Sequence, residues 1–133
     1  MIVLDTHALV WWVSDDDQLS SKAVKAIKKE LDDEVGEIIV SSISTWEIAL
    51  LVEKKRLKLT MDVDEWIQTV SMIDKVKFIP IDNQIAIQSV RLPGEFHPDP
   101  ADRLITALAR HLSAALITSD KKIRNYQYVK TVW

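Results

Sequence analysis

The sequence predicts one α/β domain over residues 1–133, built on a parallel sheet of about five strands with helices on both faces. Three observations carry that expectation. Short apolar runs suited to strands buried on both faces alternate with segments of helical periodicity. Only two glycines are present, and no repeat, low-complexity stretch or Gly/Ser linker divides the chain. Its 133 residues, 47% of them apolar, supply one sizeable core rather than two.

Ile2-Val3-Leu4 is the first strand, and it stops at Asp5. The helix after it carries Leu9, Val10 and Val13 as its apolar residues. Val24, Ile27 and Leu31 then recur at helical spacing, with Ser20 or Ser21 placed to accept from the free N–H groups of the first turn. Ile38-Ile39-Val40 reads as the second strand. Ser44-Thr45-Trp46-Glu47 precedes a helical run over residues 48–52, and Asp62-Val63-Asp64-Glu65 precedes another with Trp66, Ile67, Val70 and Ile73. Both match capping-box spacing. Phe78-Ile79-Pro80-Ile81 is the third strand, at a sheet edge because Pro80 has no N–H to give a ladder, and Asp82 can cap a helix through Val90. Asp99 as cap and Pro100 as first helical residue begin the best-signalled helix, with Leu104, Ile105, Leu108 and Leu112 on its apolar side. Ala114-Ala115-Leu116-Ile117-Thr118 gives a fourth strand stopping near Asp120, and residues 129–133 a short fifth.

The absence of cysteine excludes disulfides and thiolate metal sites, and fits a reducing compartment. The opening residues lack the basic start and long apolar segment of a signal peptide, and no later apolar run approaches a bilayer span. A cytoplasmic protein without a membrane partner is expected. The net charge of -3 argues at first sight against a nucleic-acid partner, because phosphate binding rests on clustered Lys and Arg. The basic residues are unevenly placed, however. Lys54, Lys55, Arg56 and Lys58 form one group, and Lys121, Lys122 and Arg124 directly follow Asp120. A solvated surface is the plainer reading of both groups.

In an open parallel sheet, ligands bind beyond the carboxyl ends of the strands. That rule selects four of the 20 acids. Asp5 and Asp120 follow buried-type strands, and Glu47 and Asp102 are read in the first turns of helices that begin at the same edge. An all-oxygen cluster suits a hard cation, Mg2+ or Mn2+. Neutralising the four would turn 17 basic against 20 acidic residues into a balance of +1. Each acid also has a purely structural explanation. Glu47 is placed as the return half of a capping box with Ser44, and Asp102 stands three residues after Asp99 at a helix N-terminus that favours negative charge. Asp5 can cap a helix and Asp120 can occupy a turn. Capping alone, however, does not require acids after two buried strands and on two first turns at one end of a sheet.

Asp99, directly before Pro100, is read as an N-cap and left out of the core site. Thr6, Thr118 and Ser119 are placed either to orient the carboxylates or to bond local backbone. Arg103 can bind a phosphate or pair with an acid of the rim. A histidine pair can also serve as general acid and base without metal, but nothing besides position supports pairing His7 with His97; both, with His111, are read as structural or loop residues. Trp11 and Trp12 are adjacent on one helix and cannot both face one core, which leaves one for a partner.

These segments resemble the PIN domain family, and within it the VapC-type toxins of bacterial and archaeal toxin–antitoxin pairs. The resemblance lies in Ile2-Val3-Leu4-Asp5-Thr6, Ser42-Ile43-Ser44-Thr45-Trp46-Glu47-Ile48, His97-Pro98-Asp99-Pro100-Ala101-Asp102-Arg103-Leu104-Ile105 and Leu116-Ile117-Thr118-Ser119-Asp120, the third being the most specific. It spans essentially the whole chain. It implies strand order 3-2-1-4-5 and an acidic site of Asp5, Glu47, Asp102 and Asp120 holding Mg2+ or Mn2+. It further implies an endoribonuclease that leaves 5'-phosphate and 3'-hydroxyl ends, a cognate antitoxin, and a homodimer. Two other readings stand beside it. One is a receiver-like signalling domain with a Mg2+ pocket and Asp82 as phosphoacceptor, although no acid pair follows the first strand. The other is a metal-free binding module whose acids only cap helices.

Overall fold

A computed structural model describes residues 1–133. Ile2–Leu4 (β1) is the central strand, paired in parallel with Ile38–Ser41 (β2) on one side and Ala115–Ile117 (β4) on the other. Val76–Ile79 (β3) adds to β2, and Thr131–Val132 (β5) adds to β4, also in parallel. The order is therefore β3-β2-β1-β4-β5, as the resemblance implied. Leu4 is in register with Val40 and Ile117, so all three central strands run out at one rim.

Successive side chains of a strand point to opposite faces, and the sheet is covered on both. Ile2, Leu4, Ile38, Val40 and Ile117 share one core with Leu9 of Thr6–Val13 (α1), Ile27 of Ser21–Asp32 (α2), Ile48 of Ser42–Glu53 (α3) and Trp66 of Val63–Ser71 (α4). Val3, Ile39 and Leu116 share the other with Ile85 of Asn83–Val90 (α5), Ile105 and Leu108 of Pro100–His111 (α6), and Ile123 of Lys121–Arg124 (α7). This double burial explains why the strands read as unbroken apolar runs. No helix is long and apolar enough to cross a membrane.

Several local expectations are corrected. The helix carrying Glu47 starts at Ser42, with Ser41 as its cap accepting from the Ile43 N–H at 3.2 Å. β2 runs directly into α3, so the capping serine is the last strand residue. Ser44 consequently lies inside the helix and Glu47 in its second turn, which removes the capping box. Asp62 precedes α4 without a side-chain cap bond. β3 ends at Ile79, two residues earlier than its apolar pattern suggested, leaving Pro80 outside the ladder. In α2 the buried stripe is Ala23, Ile27 and Glu30, and Val24 is 47% exposed. The four-residue α7 was not anticipated, because one turn shows no periodicity.

Gly36 lets the chain turn from α2 into β2. Its N–H donates to the Asp33 carbonyl at 3.0 Å, and a Cβ there would stand 1.9 Å from the Glu30 carbonyl oxygen. That neighbour is backbone and cannot swing aside. Gly36→Ala is expected to cost about 2 kcal/mol or more, read as a lower urea midpoint with an unchanged slope. A midpoint equal to wild type would contradict this packing.

Candidate active site

Asp5 is the first residue past β1, and its N–H continues the ladder by donating to the Ile117 carbonyl at 3.0 Å. Its carboxylate is buried, yet both oxygens have donors. Oδ1 accepts from the Thr6 N–H at 2.8 Å, and Oδ2 accepts from the Thr118 hydroxyl at 2.7 Å. Thr118, the residue after β4, is itself fully buried, and its hydroxyl oxygen also accepts from the Asp120 N–H at 3.1 Å. One hydroxyl therefore fixes two of the acids. Asp120 uses Oδ1 to cap α7 through the Lys122 N–H at 2.8 Å.

Glu47 reaches the same rim from the second turn of α3. Its Oε1 accepts from the Thr6 hydroxyl, and the Thr6 oxygen lies 2.8 Å from the Ser44 hydroxyl oxygen. Thr6 has one hydroxyl hydrogen and gives it to Glu47, so Ser44 must be the donor to Thr6. Ser44 and Thr6 are both buried. The resulting chain runs from Ser44 through Thr6 to the Glu47 carboxylate.

Asp102 lies in the first turn of α6, with its side chain 18% exposed. Asp99 caps that helix by accepting from the Asp102 N–H at 3.0 Å, as its place before Pro100 indicated. No return bond runs from the Asp102 carboxylate to Asp99. Instead Asp102 Oδ2 stands 3.1 Å from His97 Nε2. The pair is close but out of line, and Nε2 has no hydrogen-bond partner of proper geometry. His97 was read as a loop residue; its position three before Pro100 gave no sign that it turns back to meet Asp102.

Burial, and after it the neighbouring charges, act on three of these carboxyls. Burial pushes the Asp102 carboxyl up, and the charges of Asp5, Asp99, Asp120 and Glu47 add to that effect, bringing it to about 7. Burial also raises Asp5 against the lowering effect of its Thr118 and Thr6 bonds. Glu47 is raised by burial first, opposed by the Thr6 hydrogen bond and then reinforced by Asp5 and Asp99. Asp99 is thus both a cap and a member of the acidic field. No Lys or Arg makes an ion pair with any of these five acids.

A divalent cation fits this donor set. The donors are hard carboxylate oxygens, no Lys or Arg pairs with them, and protein hydrogen bonds leave Glu47 Oε2, Asp102 Oδ1 and Asp120 Oδ2 free. As they stand, no three acidic or histidine side chains converge closely enough to close around one ion.

The remaining candidates separate clearly. Arg103 does not face the rim as a free cation: it donates to the carbonyls of Ser89, Val90, Phe96 and His97, tying residues 91–99 to α6. Ser119 takes no part in the hydrogen bonds of the site. His7 lies beside Asp5 and Glu47 and meets Trp11 in a tilted contact at 5.7 Å, whereas His111 ends α6 at the opposite end from Asp102. Trp11 and Trp12 are both partly buried against the core, and Trp46 is the tryptophan left most exposed.

The PIN domain description matches residues 2–127 of the chain. Ribonuclease VapC22 of Mycobacterium tuberculosis is 34% identical over 134 residues, covering 99% of this chain and 98% of its own length. The fold recurs in solved structures of low identity. VapBC2 from Rickettsia felis, bound to a DNA fragment from their promoter, superposes with a TM-score of 0.68 at 17% identity, over 98% of this chain and 97% of that one. A toxin–antitoxin complex from Klebsiella pneumoniae gives 0.65 at 21% identity, over 97% and 95%. The family match over residues 2–127 and the 34% identity over nearly the whole length agree, and the chain belongs to the PIN domain family.

Proposed function

We propose that this protein is a Mg2+- or Mn2+-dependent endoribonuclease, the toxin of a toxin–antitoxin pair, with Asp5, Glu47, Asp102 and Asp120 as its acidic site. The observation that carries the reading is the gathering of Asp5, Glu47, Asp102 and Asp120, with Asp99, at one rim of the sheet, where no Lys or Arg pairs with any of them and only His97 stands against Asp102. The rival in which acids only cap helices accounts for Asp5, Asp99 and Asp120. It leaves Glu47 and Asp102 unexplained. The receiver-like rival is set aside by family membership, and its phosphoacceptor Asp82 is the cap of α5. The ribonuclease name of the mycobacterial relative supports RNA as substrate.

Glu47, Asp102 and Asp120 would hold the ion through their free oxygens, with Asp5 fixed behind them by Thr6 and Thr118. When bound, the ion lowers the pKa of an attacking water and neutralises charge on the phosphoryl group and the leaving 3'-oxygen. The Thr6 bond occupies one Glu47 oxygen and leaves the other to bind the ion or accept a proton. Thr118 keeps Asp5 and Asp120 in fixed relation. The products are 5'-phosphate and 3'-hydroxyl ends.

The partner side is supported by the toxin–antitoxin complexes that share the fold and by a second surface feature. A cleft of about 620 Å3 lined by Trp11, Val13, Leu57, Leu59, Trp66 and Ile73 adjoins α1, and Trp11 leads from it to His7 beside the acids. An antitoxin helix can lay apolar residues there and present Arg or Lys to the acids, a guanidinium matching a carboxylate through two hydrogen bonds.

Glu47→Gln keeps side-chain size and loses charge. It should lower RNA cleavage on the order of 100-fold or more with the fold intact by circular dichroism. EDTA should stop wild-type cleavage and Mn2+ restore it, with 5'-phosphate at the new ends. Cleavage persisting in EDTA to leave 2',3'-cyclic phosphate would overturn the metal reading and favour a histidine mechanism.

The folded chain binds the Asp102 proton more tightly than the unfolded chain does. Metal-free stability is therefore full below the ordinary aspartate value of about 4, and is lost as pH rises through about 7. In EDTA, thermal melts should fall across that window, and Asp102→Asn should flatten the fall and exceed wild type at pH 8. A flat wild-type profile would contradict the crowding of charge at the rim.

Inhibition by the antitoxin should weaken as Mn2+ is raised, since both compete for the same oxygens. Pull-down of the neighbouring gene product followed by cleavage assays over a Mn2+ series tests this. Inhibition independent of Mn2+ would place the contact away from the acids.

A further inference from the structure

A second recess, of about 450 Å3, opens beside the acids and shares residues with their rim. His97 lines it while standing 3.1 Å from Asp102, and Lys122 lines it while its N–H holds Asp120. Its wall is a run of aromatic rings. Phe96 stacks on His97 at 4.6 Å, Tyr126 meets Phe96 edge-on at 4.7 Å, and Tyr128 follows Tyr126 at 5.5 Å.

Tyr128 is the ring left most open, at 42%. It is nevertheless held in place. The Arg110 guanidinium lies over it at 6.0 Å and also bonds its carbonyl. Gly94, at φ 65°, brings backbone so near that a Cβ would stand 3.0 Å from the ring. A braced aromatic loses little freedom when something stacks on it. Arg103, bonded to the Phe96 and His97 carbonyls, fixes the opposite wall.

We propose that this recess is a subsite for one unpaired nucleotide of single-stranded RNA, its base against Tyr128 and its phosphate toward Lys122. The proposal rests on the ribonuclease reading and extends it to substrate positioning. Three features select this ligand. The volume falls in the range of small-ligand sites. Exposed aromatic rings take the π-face of any base, and single-stranded RNA is held in that way. Lys122 offers the counter-charge for phosphate, while Asn125 and Gln127 bring amides able to meet a base edge. Glu95 also lines the recess and works against a second phosphate there. A strand seated with one nucleotide in the recess passes its next phosphate to the acids, because His97 and Lys122 belong to both.

The test uses the Asp5→Asn protein, so that RNA is bound without being cut, and a fluorescein-labelled ten-nucleotide RNA of mixed sequence. Tyr128→Ala in that background should weaken binding about tenfold, the scale of one base–aromatic stack, and Tyr128→Phe should stay within about twofold of the parent. Lys122→Gln, which leaves the ring packing alone, should lower the salt slope of binding by about 0.7. RNA substituted with 5-iodouridine should cross-link to Tyr128 or Phe96. Parent-like affinity of folded Tyr128→Ala together with an unchanged salt slope for Lys122→Gln would overturn the subsite while the nuclease stands. If the parent binds no RNA and the wild-type protein cuts none, the ribonuclease reading fails and the subsite with it.

Discussion

Burial of like-charged carboxylates gathered past the carboxyl end of β1 is the constraint on which the rim depends. Burial and like-charged neighbours both disfavour the ionised form of these carboxyls. A hydrogen bond to a charged group returns only about 1.5–3 kcal/mol. The bonds from Thr118, Thr6 and the helix N-termini therefore offset part of that cost and leave a remainder. Asp102 registers that remainder: burial first, and then the neighbouring charges, raise its carboxyl to about 7. Either a proton or a cation must supply the missing positive charge, and the first is lost near neutral pH.

Capping and site chemistry are not competing explanations at this rim. Asp5 and Asp120 each give one oxygen to a local N–H, and Asp99 caps α6 while raising both Glu47 and Asp102. A carboxylate has two oxygens and about four acceptor positions, so one bond to backbone fixes its orientation without using it up. The caps are what hold the acids still. Arg103 does the corresponding work for the neighbouring loop, closing four backbone carbonyls that would otherwise lie unpaired beside α6.

Much of this was legible in the sequence because the strands are buried on both faces. Unbroken apolar runs marked β1, β2 and β4, and the acids after β1 and β4 marked the rim. Asp99-Pro100 gave the start of α6 to the residue, since Pro suits only the first turn and Asp supplies the missing acceptor. Other features depended on contacts distant in sequence. The start of α3 was hidden because three serines, Ser41, Ser42 and Ser44, are all capable caps, and only the end of β2 decides among them. Ser44 as the hydroxyl behind Thr6, and His97 against Asp102, arise from tertiary packing and have no local signature. Arg103 was misjudged for a related reason: a free guanidinium near acids suggests a phosphate, but four nearby carbonyls claim it first.

The central claim is that these carboxylates hold a divalent ion, and diffraction at the manganese absorption edge from crystals soaked in Mn2+ tests it most directly. An anomalous peak bounded by Glu47, Asp102 and Asp120, with those side chains drawn together around it, is the predicted result. Fully ionised crystals that show no peak at the rim, or one only elsewhere on the surface, would contradict the account.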